Sequence, residues 1–195
     1  PPPLLYGGES SEVIRYIEYR VISKNVNGLQ QGDKYAKFLR YINSTDRRDP
    51  VSAVLIQEHN LTSENHDHHQ AIARRLRVLA LISYMPTTSS KGGTAIFIPY
   101  DRIEKLNKDE DEETALKRVR HTHHYTAAGR ISKATTILNG TKIELISAYA
   151  PATLAAARRR FMAKDLRPLL SANSLLGIDA NCVPDVTIDV QNVSG

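Results

Sequence analysis

The run Leu175-Leu176-Gly177-Ile178-Asp179-Ala180-Asn181 decides how this chain is read. An apolar segment that stops at an acid and then an amide reads as a buried strand whose carboxyl end delivers two polar side chains. Two residues apart on an extended backbone, Asp179 and Asn181 are expected to project to one side. A carboxylate paired with an amide oxygen suits a hard cation. An ordinary turn after a strand is the alternative, since Asp and Asn are common turn formers. Against it stands the recurrence of the same ending on two other strands of the chain.

Upstream, residues 153–170 are helical by composition, with Thr153 as the cap. Before them, apolar runs at 131–138 and 143–150 flank Asn139-Gly140, a strong hairpin signal, and Pro151 closes the second run. Residues 78–84 and 94–98 read as strands, the latter introduced by Lys91-Gly92-Gly93. Residues 63–77 read as a helix capped by Ser63, with Ile72, Leu76 and Leu79 on one face. The apolar strand 51–56 is broken by Gln57-Glu58-His59, and residues 34–42 place Tyr35, Phe38, Leu39 and Ile42 at helical spacing. A further strand at 19–26 stops at Asn25-Val26-Asn27-Gly28. Residues 103–125 carry an acidic block at 109–113 and a basic one at 117–121, and are expected to form an exposed excursion with room for one helix. Residues 1–12 resemble a linker, leaving one domain over 13–195.

Crossovers mixed with a hairpin imply an α/β protein with one mixed sheet or two and helices packed outside. Polar residues then gather along one rim of strand ends, where Asn25, Glu58, Tyr149, Asp179 and Asn181 form one candidate site. A chain of 195 residues suffices for one full-sized core, and a formal charge of +5 permits a polyanionic partner. The single cysteine, Cys182, excludes an internal disulfide framework and any Cys-rich zinc module. No run approaches the roughly 18 apolar residues of a membrane span, so the expectation is an intracellular protein of nucleus or cytoplasm with no membrane partner.

Six short motifs carry a resemblance. Asn25-Val26-Asn27-Gly28-Leu29, Ile56-Gln57-Glu58, Gly92-Gly93-Thr94-Ala95, Gly129-Arg130, Ala148-Tyr149-Ala150-Pro151 and Asp179-Ala180-Asn181 follow the order of the endonuclease/exonuclease/phosphatase superfamily. Around Gln57-Glu58-His59 and Asn181-Cys182-Val183 the chain is most similar to the endonuclease domain of non-LTR retrotransposons. The resemblance implies a four-layer α/β (α+β) sandwich, two mixed sheets face to face with helices outside. It implies a phosphodiesterase dependent on Mg²⁺ or Mn²⁺, nicking one DNA strand, with a reverse transcriptase domain as partner in the parent polyprotein. Glu58 would be the central metal ligand, assisted by Asn25, and Asp179 would orient or deprotonate the attacking water. Asn181 would hold water or a phosphate oxygen, and Tyr149 would donate to the phosphoryl oxygen. Asn27 and Arg130 would touch the substrate, although Arg130 also reads as an ordinary strand-start residue and Tyr149 as ordinary strand packing.

Three departures qualify the match. Lys24 stands where the family usually has an aromatic residue. Ile178 stands where it usually has the glycine before the aspartate, Gly177 lying one place earlier, which would shift the strand end presenting Asp179. No Ser-Asp-His-like motif follows Asn181, so a C-terminally truncated domain with an incomplete second sheet is expected, and Asp67-His68 is not assigned that role. An inactive remnant with residual metal or nucleic-acid binding is therefore the alternative to an active endonuclease. The groups His66, His68, His69 and His121, His123, His124 read as solvated surface before metal ligands. The basic groups Arg74-Arg75-Arg77, Lys117-Arg118-Arg120 and Arg158-Arg159-Arg160 read either as DNA contacts or as exposed helix faces. Lys91 reads as a loop lysine and Cys182 as a packed thiol without a neighbouring base.

Overall fold

The computed structural model describes residues 20–44, 51–86, 92–126, 128–138, 140–152 and 154–181. The linker expected at 1–12, Lys91, Asn139, Thr153 and Cys182 lie outside them.

β2 (Val51–Gln57) is the centre of the first sheet and is buried along its whole length. Its alternate residues serve two different cores, because successive side chains on a strand point to opposite faces. Val54 and Ile56 pack under helices α1 (Lys34–Ser44) and α2 (His66–Arg75), whereas Ala53 and Leu55 face the second sheet. That double burial is why the sequence shows a continuous apolar run rather than alternation. β2 pairs in parallel with β1 (Arg20–Asn25) and antiparallel with β4 (Thr94–Pro99), which pairs in turn with β3 (Val78–Ser83). The strand order is β1-β2-β4-β3.

The second sheet runs β5-β6-β7-β8. β6 (Ile131–Leu138) and β7 (Thr141–Tyr149) form the expected hairpin, Leu138 opposite Thr141, with Gly140 at φ 70° in the connection. The two-residue β5 (His124–Tyr125) borders β6, and β8 (Ser174–Asp179) lies parallel to β7. Leu55, Leu79, Leu81, Ile96 and Ile98 of the first sheet meet Ala134 and Leu145 of the second. On the outer face of the second sheet, Ile131, Ile146 and Ala148 pack against Phe161 and Leu166. The result is helices, sheet, sheet, helix: an α/β sandwich of four layers.

Three expectations are corrected. The segment at 63–77 does not start as an α-helix capped by Ser63; residues Ser63–Asn65 form a 3-10 turn with no side-chain cap, and α2 begins at His66. The segment at 153–170 is α-helical only over α4 (Ala155–Arg160), then widens to a π-helical turn over Phe161–Leu166. The charged segment 103–125 is not merely exposed. Its helix α3 (Glu112–His121) is capped by Asp111, whose Oδ1 accepts the Thr114 N–H at 2.6 Å, and it buries Ala115, Leu116 and Val119 in the inter-sheet core.

Candidate active site

Parallel pairing brings four carboxyl ends to one rim. Asn25 ends β1 opposite Gln57 of β2, and Tyr149 ends β7 opposite Asp179 of β8. Since the two sheets are stacked, residues from both converge there. Asn25 Nδ2 donates to Glu58 Oε2 at 2.8 Å and to Asp179 Oδ2 at 2.7 Å, so one amide bridges two carboxylates from opposite sheets. Asn25 is itself aimed by the Asn27 N–H, which donates to its Oδ1 at 2.9 Å. Tyr149 Oη donates to the other Glu58 oxygen at 2.6 Å. Burial and then this bond push the Tyr149 phenol up to about 12, so the hydroxyl keeps its proton.

Glu58 occupies the left-handed region at φ 55°, a conformation that costs a side chain with a Cβ about 1–2 kcal/mol. The Gly28 N–H to Glu58 carbonyl and Leu29 N–H to His59 carbonyl bonds, each 2.7 Å, hold it there. Backbone strain maintained at one carboxylate is characteristic of a working site. Asn181, at φ 46°, has already left the strand. Asp179 and Asn181 therefore do not share a side by strand alternation. A turn joins them: the Asn181 N–H donates to Asp179 Oδ1 at 3.0 Å, and its Nδ2 donates to the Ala150 carbonyl at 2.7 Å. Turn and site are the same feature.

Of the two expected substrate contacts, Arg130 sits over the Tyr149 ring at 5.4 Å and donates from Nη1 to the Tyr149 carbonyl at 3.3 Å. It braces the tyrosine. The Asn27 side chain is exposed at the rim.

Beneath the site lies a layer that the sequence reading missed. Gln57 is 1% exposed, and its Nε2 donates across the sandwich to Ser147 Oγ at 3.0 Å and to the Gly177 carbonyl at 3.3 Å. Ser147 Oγ returns a bond to the Ile56 carbonyl at 2.7 Å. These residues immediately precede, or lie two before, the site residues on β2, β7 and β8. Gly177 faces this layer: a Cβ there would come within 2.5 Å of Ser23 Oγ and 3.0 Å of Leu55 Cβ. Asp179 lies in register with Tyr149 at the end of β8. His59 is fully buried, with Nε2 on the Ser83 carbonyl at 3.1 Å and Nδ1 accepting the Leu61 N–H at 2.9 Å. Burial lowers it to about 4, so it is a neutral strut. For His59 the sequence signal was Gly93, at φ 86°, whose missing side chain leaves room for the ring 2.4 Å from where its Cβ would stand.

In the two histidine groups, His66, His68, His121 and His124 are exposed as expected, whereas His69 and His123 are not. His69 is buried between Tyr35 and Tyr84, and His123 bonds Ser132 Oγ at 2.8 Å. Among the described residues no three His, Cys, Asp or Glu side chains gather to hold a metal. Arg118 is bound to Glu110, with Nε at 3.0 Å from Oε1, and to the Glu104 carbonyl at 2.7 Å, so it is a structural residue.

Two stacked mixed sheets flanked by helices are a fold that this chain shares with solved structures. The chain is similar to D. rerio TDP2 complexed with single-strand DNA product, at 16% identity and a TM-score of 0.55, over 89% of this chain and 64% of that one. It is similar to the human Nocturnin catalytic domain with bound sulfate, at 15% identity and a TM-score of 0.50, over 90% and 69% of the two chains. The endonuclease domain of TRAS1, a telomere-specific non-LTR retrotransposon, matches at 17% identity and a TM-score of 0.46, over 85% and 60%. This chain thus spans less than two thirds of the TRAS1 chain and of the DNA-bound TDP2 chain. No family model and no curated protein matches the sequence.

Proposed function

We propose that the rim is the active site of a metal-dependent phosphodiesterase that nicks one strand of DNA, as a retrotransposon-type endonuclease does. The observation that carries this reading is the single Asn25 amide within 2.8 Å of both Glu58 and Asp179. Two carboxylates brought so close repel, and a cation offsets that repulsion as the amide does here. The oxygen donors that converge are two carboxylates, hard chemistry that fits Mg²⁺ or Mn²⁺, ions that need few protein carboxylates. Glu58, with Asn25, would hold the ion, and the bound ion would supply charge stabilisation at the phosphate.

The chain's own residues supply the rest. Asp179, with both oxygens fixed by Asn25 and Asn181, takes the proton of a water that attacks phosphorus. The P–O3′ bond breaks, and the leaving oxygen takes a proton from solvent water to become a 3′-hydroxyl. Tyr149 turns its proton from Glu58 to the phosphoryl oxygen as charge develops there, and Asn181 offers a second donor. The non-LTR type, and with it a reverse transcriptase partner, is supported by the wording around Gln57-Glu58-His59.

Plasmid nicking in Mg²⁺, followed alongside calorimetric Mg²⁺ titration, tests the reading. Glu58→Gln is expected to lose both metal affinity and nicking, and Asp179→Ala to lose nicking by ~10²–10⁴-fold. Metal affinity equal in wild type and Glu58→Gln would remove Glu58 from the ion. Metal and DNA binding without any turnover would favour the inactive remnant.

A further inference from the structure

At the opposite end of the rim, a groove of about 690 Å³ runs between α2 and the segment from Arg120 to Tyr125, floored by edge strand β3. That volume lies within the range of small-ligand sites. Two guanidinium groups, Arg74 and Arg120, line it, and among the described residues neither is in an ion pair. Both act on one phenol beside the groove, Tyr100, against the raising effect of its burial and of Glu112 and Glu113. The lining also has flat faces: Tyr84, whose hydroxyl meets His66 Nδ1 at 3.2 Å, and Tyr125, 59% exposed. Asp67 is the one acid among the lining residues.

The groove opens onto the rim. Tyr125 pairs with Ser132, next to Ile131, which lies opposite Ala148 beside Tyr149; Tyr84 follows Ser83, which pairs with Thr94 at the same level. From β8 to β5 there are three strand spacings, roughly 14 Å at about 4.8 Å each, or about four base-pair steps of duplex.

We propose that this groove is a second nucleic-acid site, seating an unpaired nucleotide of the DNA strand that crosses the rim, its phosphate on Arg74 and Arg120 and its base on Tyr84 and Tyr125. Two cations beside one exposed ring, Tyr125, and a half-buried one, Tyr84, are the chemistry of single-stranded nucleic acid, whereas an acidic peptide would leave the rings unused. The identity of the polyanion rests on the phosphodiesterase reading above; the groove's geometry does not.

The test is fluorescence anisotropy of a labelled thymidine octanucleotide in EDTA, with the whole chain. Arg74→Ala/Arg120→Ala is expected to weaken binding about 10-fold and to reduce the salt slope by roughly 0.7, for the one phosphate no longer neutralised. Tyr125→Ala is expected to weaken it about 5- to 100-fold as stacking on the ring disappears. The two readings fail separately: full nicking by Glu58→Gln, with octanucleotide binding still weakened in the groove variants, would sink only the catalytic reading. All three groove side chains are exposed, so circular dichroism should show folded variants. Unchanged affinity and slope in folded variants would overturn the site. Equal binding of a blunt duplex, weakened equally in Tyr125→Ala, would overturn the unpaired base.

Discussion

Tyr149 and His59 are buried polar side chains with opposite duties. Tyr149→Phe removes the hydroxyl 2.6 Å from Glu58 and keeps the ring under Arg130. If the hydroxyl serves the transition state, kcat for nicking should fall ~10²–10³-fold with KM little changed. Steady-state kinetics on a supercoiled plasmid checks this, and an unchanged kcat would reduce Tyr149 to packing. His59 concerns stability. Its native value of about 4, set by burial, lies below the ordinary 6.5, so the unfolded chain binds the extra proton in between. Its contribution is complete above pH 6.5 and is lost as pH falls toward 4, up to about 3 kcal/mol. His69 and His123 are displaced the same way by burial. Urea unfolding should therefore show stability declining from pH 6.5 to 5, before most carboxylates titrate; a flat profile there would mean that protonated His59 is accommodated. Glu58 and Asp179 were legible because each interrupts an apolar run. Gln57 and His59 were not, because a polar residue after a strand reads as loop unless its partners are known, and theirs come from β3, β7 and β8.

At the scale of the element, β8 shows how a strand with few buried side chains is still held in place. Leu175 and Leu176 are exposed, and β8 pairs only with β7 among the described residues. Its inward anchor is Gly177, whose carbonyl accepts from Gln57 and whose missing Cβ allows close approach to Ser23 and Leu55. Gly177→Ala should push β8 from β1 by a few tenths of an ångström or more, costing roughly 1–3 kcal/mol. Asp179, two residues on, would leave Asn25, so nicking should fall further than stability alone explains. Thermal melting beside a nicking assay at a temperature where the variant is fully folded separates the two; full activity there would show that the rim tolerates the shift. The glycine was visible in the sequence, but its reason was not, since the neighbours it admits are about 120 to 155 residues away. The same limit applies to α3. Its charges were read and its apolar stripe Ala115, Leu116, Val119 was overlooked, because three small or medium residues among seven charged or polar ones look like surface until a sheet end is known to need closing.

Over the whole molecule, the net charge of +5 has a distribution that composition cannot convey. The three basic groups of the sequence lie on three different helices, so they do not form one continuous stripe. Part of the charge is used internally: Arg77 pairs with Glu112 at 2.6 Å, and Arg118 with Glu110. Of the other arginines, Arg74 and Arg120 line the groove along β3, while Arg159 and Arg167 line a cavity of about 420 Å³ together with Ala180, the residue between Asp179 and Asn181. A duplex laid along the rim would meet Arg159 and Arg167 beside the carboxylates of Glu58 and Asp179. On this arrangement, binding to duplex DNA should weaken with salt at about 0.9 log units per decade for each phosphate neutralised. Arg159→Ala/Arg167→Ala should then lower that slope by about 1.8 and reduce affinity without changing Mg²⁺ binding at Glu58. Anisotropy titrations at several salt concentrations, with calorimetry of the metal on the same variant, decide the matter. A slope unchanged by the double substitution would place the duplex elsewhere on the surface, and the rim would have to receive its substrate as a single strand from the β3 groove.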